Sequence, residues 1–108
     1  YKLACDERLQ KLERWDGKLK KYATDTEIQF YYAGYVYEFF VRVWFEQQNL
    51  WPLPPAQAFP FINKNDALFG KLMNEFALSA GEKRAEIASE VIKRLYTLKG
   101  NWSFKSAR

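Results

Sequence analysis

Histidine is absent from the 108-residue chain, and cysteine occurs once, at Cys5. Those two shortages remove imidazole acid-base chemistry, histidine metal sites, Cys/His nucleophile pairs, CxxC zinc or redox centres and any intrachain disulfide. A lone Cys5 fits a reducing compartment. What remains for catalysis is scattered carboxylates, tyrosines and lysines that do not converge in sequence, so the chain reads as a non-enzyme with no metal and no cofactor. Glu38 and Glu46, the carboxylates of the aromatic helix that could be imagined as an acid-base pair, sit about 12 Å apart along its axis, and Glu38 has Arg42 four residues on as a pairing partner. No signal-peptide pattern, internal repeat or low-complexity stretch occurs, and the opening on Tyr1 instead of Met is what a processed or trimmed product shows.

The length suits one domain. Hydrophobic residues make up 48% and charged residues 28%, the balance of an ordinary globular chain and too apolar for disorder. The unusual figure is 19% aromatic, from nine Phe, seven Tyr and four Trp. Net charge is +4 and favours a polyanionic or acidic partner. It is unevenly placed: residues 1–24 carry +3, residues 25–65 carry −2, and residues 66–108 carry +3.

Hydrophobic periodicity predicts four helices, over about 6–23, 25–49, 65–80 and 82–99, followed by a basic aromatic tail at 100–108. In the first, Leu9, Leu12, Trp15, Leu19 and Tyr22 share one face, and Lys11, Arg14, Lys18 and Lys21 form a strip roughly 80° wide beside it. Glu7 can pair with Lys11. Thr24-Asp25-Thr26-Glu27 spells a capping box, flanked by Ala23 and Ile28 as a small hydrophobic staple. The following run is apolar except for Gly34, Glu38, Arg42 and Glu46, whose four-residue period argues for a central helix. A hairpin turning at Ala33-Gly34 is the competing reading, since Val, Tyr, Phe and Trp favour strands. Glu38 and Arg42 would each cost about 2.5–3.5 kcal/mol in a bilayer, which argues against a membrane span. All four prolines lie between residues 52 and 60, so residues 50–64 are expected to cross the bundle as an ordered, non-helical connection. Asn63 or Asn65 is expected to cap the third helix, Ser79-Ala80-Gly81-Glu82 to cap the fourth, and Gly100 to stop it.

The cationic strip is the best candidate for a nucleic-acid surface, because regularly spaced Lys and Arg can follow phosphates while the opposite face docks on a core. With it go Arg8 and Lys20 on the same helix and Lys93, Arg94 and Lys99 on the last one. The plain alternative is a solvated helix face. No helix-turn-helix, zinc-finger or RNA-recognition signature is present, so binding is expected to ignore base sequence. Tyr31, Tyr32, Tyr35 and Tyr37 could stack on bases, but read more simply as buried anchors. Trp51, Phe59, Phe61, Trp102 and Phe104 fall outside the four helices and are candidates for an assembly patch, unless the proline segment folds back over the bundle ends.

The order of a basic amphipathic helix, a greasy helix (YYAGYVYEFFVRVWF), a proline-broken crossover (WPLPPAQAFPF) and two shorter amphipathic helices (ALFGKLMNEFALSA, EKRAEIASEVIKRLYTL) resembles the four-helix-bundle domain of the major coat proteins of filamentous archaeal viruses, the lipothrixviruses and rudiviruses. The resemblance implies a virion protein that packs linear double-stranded DNA in a helical filament, touching phosphates through basic helices and copies of itself, or a homologous coat subunit, through apolar surface. Coat proteins of this type carry a basic N-terminal extension, which does not occur in this sequence. The competing expectation is a helical protein-protein adaptor, a cytoplasmic subunit of a larger complex with Trp51, Phe59 and Phe61 as anchors.

Overall fold

The run that begins at Ile28 folds as a helix, α2 (Thr26–Gln47), in a computed structural model that describes the backbone of residues 2–106 and the side chains of residues 7–98. The hairpin alternative falls. Gln29, Ala33, Val36, Phe40, Val43, Trp44, Phe45 and Gln47 are buried along one side of α2. That side meets α1 (Lys2–Lys21), α4 (Ala67–Leu78) and α5 (Gly81–Ser106). Leu9, Leu12 and Leu19 bring α1 into the same core. The Gly34, Glu38 and Arg42 stripe is exposed, as its period requires.

The protein is all-helical among the described residues, with five helices where periodicity predicts four. The additional one is α3 (Pro55–Asn65), inside the proline segment expected to be non-helical. Pro54 and Pro55 occupy its N-cap and first position, where a missing N–H removes no hydrogen bond. Pro60 does interrupt the interior, but it sits on the exposed side, while Ala58 and Ile62 are buried opposite. Core contact compensates for the broken ladder, as it does for most short helices. The true crossover is therefore short. It begins with Asn49 in the left-handed region (φ 58°), where Leu50 N–H bonds Phe45 O and Asn49 N–H bonds Glu46 O to close α2 with a Schellman motif.

Three caps differ from the sequence reading. Asp25, not Thr24, caps α2, its Oδ1 accepting from Ile28 N–H at 3.3 Å, and Ile28 itself is exposed. Asp66, not Asn63 or Asn65, caps α4, with Oδ1 accepting from Phe69 N–H at 3.1 Å. Ser79 terminates α4 instead of starting the next helix, donating from Oγ to Glu75 O at 2.6 Å. Gly100 does not stop α5, which continues to Ser106. α3 and α4 pack closely enough that a Cβ on Gly70 would lie 2.0 Å from Asn63 Oδ1.

Two buried polar side chains lock the helices together. Gln29 donates from Nε2 to Leu19 O (3.2 Å) and Gly81 O (2.7 Å), and its Oε1 accepts from Gly81 N–H (2.9 Å). One amide thus joins α2 to the end of α1 and the start of α5, where Gly81 adopts φ 62°. Asp66 accepts from Trp44 Nε1 at 3.1 Å and from Arg94 Nε and Nη2 at 3.2 and 2.9 Å, tying α4 to α2 and α5. Removing one partner of such a network strands the other charge away from water. Asp66→Ala is expected to cost about 3 kcal/mol, read as a lower urea midpoint with an unchanged m-value.

Candidate nucleic-acid interface

Three leucines fix the rotation of α1. With Leu9, Leu12 and Leu19 fully buried, Lys11, Arg14, Lys18 and Lys21 are carried to the exposed edge beside α2. Asp16 and Lys20 fall toward α5 instead, where Asp16 accepts from Ser89 Oγ (3.2 and 3.3 Å) and pairs with Lys20 (3.1 Å).

The nine cations expected to meet nucleic acid therefore separate. Arg8 pairs with Glu46, Lys20 with Asp16 and Lys93 with Glu90. Arg94 is a structural residue, held by the carboxylate of Asp66, so its place in the expected phosphate surface is corrected. The Lys99 side chain lies outside the described residues. Lys11, Arg14, Lys18 and Lys21 remain, and among the described residues none of them forms an ion pair, the expected Glu7–Lys11 contact included. Three of the four, all but Arg14, lie over rings. Lys11 Nζ lies 5.3 Å from the centre of Phe39, Lys18 Nζ 5.2 Å from Tyr32, and Lys21 Nζ 5.4 Å from Tyr22.

Two of these rings, Tyr22 and Tyr32, belong to a cluster that joins α1 to α2. Tyr22 stacks on Tyr32 (5.7 Å, 14°), Trp15 packs on Tyr32 (5.4 Å) and stacks on Tyr35 (6.0 Å, 20°). Tyr31 meets Tyr35 edge-on at 5.4 Å and Tyr32 at 5.9 Å. Trp15, Tyr22 and Tyr32 are half-buried, but Tyr31 is 63% and Tyr35 52% exposed. The expectation of four buried tyrosine anchors thus fails for Tyr31 and Tyr35, and a signal for it existed. Tyr31, Tyr35, Glu38 and Arg42 follow spacings of 4, 3 and 4, which places both tyrosines on the exposed polar side of α2. The hydrogen bond between the Tyr31 and Tyr35 hydroxyls at 3.5 Å, followed by the charge of Tyr31, raises the Tyr35 phenol above its ordinary value, with desolvation and the charge of Glu38 adding to it. Glu38, the nearby acid, is itself paired with Arg42 at 3.0 Å.

The expected assembly aromatics also separate. Phe59 packs on Tyr37 (6.0 Å) and Phe61 stacks on Phe45 (5.9 Å, 24°), so both are half-buried parts of the fold instead of surface anchors. The reason is α3, which folds the proline segment back onto the core. Trp102 and Phe104 lie outside the described side chains. Trp51 alone of the five is shown at the surface. It is 90% exposed and borders an open cleft of about 600 Å³ together with Arg8, Arg42, Glu46, Asn49, Leu50 and Pro52.

Elsewhere, Arg84 is buried with its guanidinium over Phe30 (5.8 Å) and Phe76 (5.7 Å), and burial lowers its pKa. It supports the core and is remote in sequence from the strip. Among the described residues no group of three His, Cys, Asp or Glu side chains could hold a metal ion, and no helix is long and apolar enough to cross a membrane. Compared with protein-family models, curated proteins and solved structures, the chain matches none.

Because exposed cation–π contacts contribute about 0.5–1 kcal/mol, Lys11→Gln, Lys18→Gln and Lys21→Gln should each change the unfolding free energy by less than about 1 kcal/mol. Arg94→Gln, by contrast, should approach the loss expected of Asp66→Ala. Denaturation of the four variants under one buffer condition separates surface cations from structural ones.

Proposed function

We propose that the chain is a structural nucleic-acid-packaging protein, a coat protein of a filamentous virus, that holds double-stranded DNA by its phosphates without reading sequence. The observation that carries this reading is the separation of charges: four neighbouring cations on α1 are left exposed and outside any described ion pair, while Arg8, Lys20, Lys93 and Arg94 are paired. A helix face of this kind follows a polyanion by displacing counterions. Its opposite face is fully used by the core. Absence of any base-reading motif fits a partner recognised by charge and shape. Self-assembly would use apolar surface, for which Trp51 with Leu50 and Leu53 is the clearest exposed candidate. In such a filament the four-helix arrangement of the coat proteins would correspond to α1, α2, α4 and α5, with α3 as an insertion in the crossover.

Titration of random-sequence duplex DNA tests the binding. If each of the four cations neutralises one phosphate, log K should fall with log salt at a slope of about −3 to −4, roughly a hundredfold between 50 and 200 mM. Changing Lys11, Arg14, Lys18 and Lys21 together to Gln should flatten that slope, and Lys20→Gln should leave it largely intact. Affinity indifferent to salt would remove the packaging role.

Exposure of Trp51 beside its cleft also favours a second reading, a helical adaptor whose partner covers that patch. Sedimentation distinguishes the two. A coat subunit should form DNA-dependent assemblies that Trp51→Ala weakens, whereas an adaptor should stay monomeric with or without DNA.

A further inference from the structure

Phosphate contact accounts for the cations of α1 but not for the tyrosines beside them. Tyr31 and Tyr35 expose more than half of their surface, while Tyr32 between them is half-buried and Ala33 and Val36 are buried in the core. They are also held in place. Tyr35 rests on Trp15 with nearly parallel rings, Tyr31 braces both Tyr35 and Tyr32, and Tyr32 is pinned between Trp15, Tyr22 and the ammonium of Lys18. A ring fixed by such backing loses little freedom when a ligand stacks on it.

The cations and rings form one surface. Lys18 and Lys21 each lie within 5.4 Å of the centre of a ring of the cluster, and Lys11 lies over Phe39, further along α2. Fixed aromatic rings beside a cationic track are what single-stranded nucleic acid uses: the backbone follows the charge while unpaired bases stack on the rings. In a duplex the bases already stack on one another and present only sugar and phosphate to this face. Glu38, three residues after Tyr35 on the same side of α2, is paired with Arg42 at 3.0 Å.

We infer that the α1–α2 face binds single-stranded nucleic acid, with unpaired bases stacked on Tyr31 and Tyr35 and phosphates along Lys11, Arg14, Lys18 and Lys21. This rests on the reading that the strip meets phosphates, and it adds a second mode at the same strip: a duplex is held through its phosphates alone, whereas a strand with unpaired bases gains the two rings as well and is held more tightly.

The test compares fluorescence-labelled oligodeoxythymidylate with a random-sequence duplex of equal length in the same salt. The unaltered chain should bind the single strand more tightly. Tyr31→Ala with Tyr35→Ala should weaken single-strand binding about tenfold or more and leave duplex affinity within about twofold. Tyr31→Phe with Tyr35→Phe, which keeps the rings, should retain single-strand affinity within about threefold. None of these changes alters charge, so the salt slope should stay the same. Both tyrosines are exposed, and an unchanged thermal melt would establish that the alanine variant folds; Tyr31→Ala alone, at the more exposed position, gives the same comparison with less perturbation. Single-strand affinity unmoved by the alanine changes, or reduced equally for both polymers, would overturn the stacking inference. If duplex binding then kept its salt slope, the packaging reading would survive. Salt-independent binding of both polymers would overturn the two together.

Discussion

The packing of three α1 leucines into the core shared with α2 and α5 is the constraint from which the surface follows. Leu9, Leu12 and Leu19 are completely buried, and burying a leucine is worth about 1.5–3 kcal/mol. Rotation of α1 to expose its leucines would forfeit several kcal/mol, a large part of the stability of a small domain. The helix is thereby locked at one angle, and at 100° per residue that angle decides where each lysine goes. Lys20 turns toward Asp16 and α5. Lys11, Lys18 and Lys21 turn toward the rings.

Buried polar groups then fix the helices relative to one another. Hydrophobic contact alone tolerates sliding, but Gln29 has partners only where the last turn of α1 and Gly81 converge. Asp66 performs the same task at the other end, with one carboxylate serving a helix cap, an indole and a guanidinium. Such groups gain little net energy from their bonds and lose much when left unpaired, so they specify an arrangement more than they stabilise it. Gln47 shows the limit of this pattern: its Nε2 reaches Leu95 O at 2.9 Å, while its Oε1 is buried with no hydrogen-bond partner among the described residues.

Much of this was legible in the sequence, and the failures have physical causes. Helix positions followed from apolar spacing, and the exposed stripe of α2 from the period of Gly34, Glu38 and Arg42. Caps were displaced by one to three residues because Thr24 beside Asp25, and Asn65 beside Asp66, are all competent cap types, and only the backbone angle decides between them. α3 was hidden because three prolines read as helix breakers, whereas two stand where proline is tolerated and the third faces outward. Arg94 was assigned to the surface because its partner Asp66 lies 28 residues away, beyond any local pattern. Tyr31 and Tyr35 were assigned to the core because large aromatics usually go there; the spacing of 4, 3 and 4 that joins them to Glu38 and Arg42 was visible, but aromatic rings at those two positions did not mark the face as polar.

The functional account reduces to a claim about which cations meet a polyanion. Lysine footprinting tests it most directly: the protein is acetylated at low reagent levels with and without nucleic acid, and modification is read at each lysine. The account predicts protection of Lys11, Lys18 and Lys21, with Lys64, Lys71 and Lys83 modified to the same extent in both samples. Protection of those latter lysines without the α1 set, or no protection anywhere at saturating nucleic acid, would contradict it.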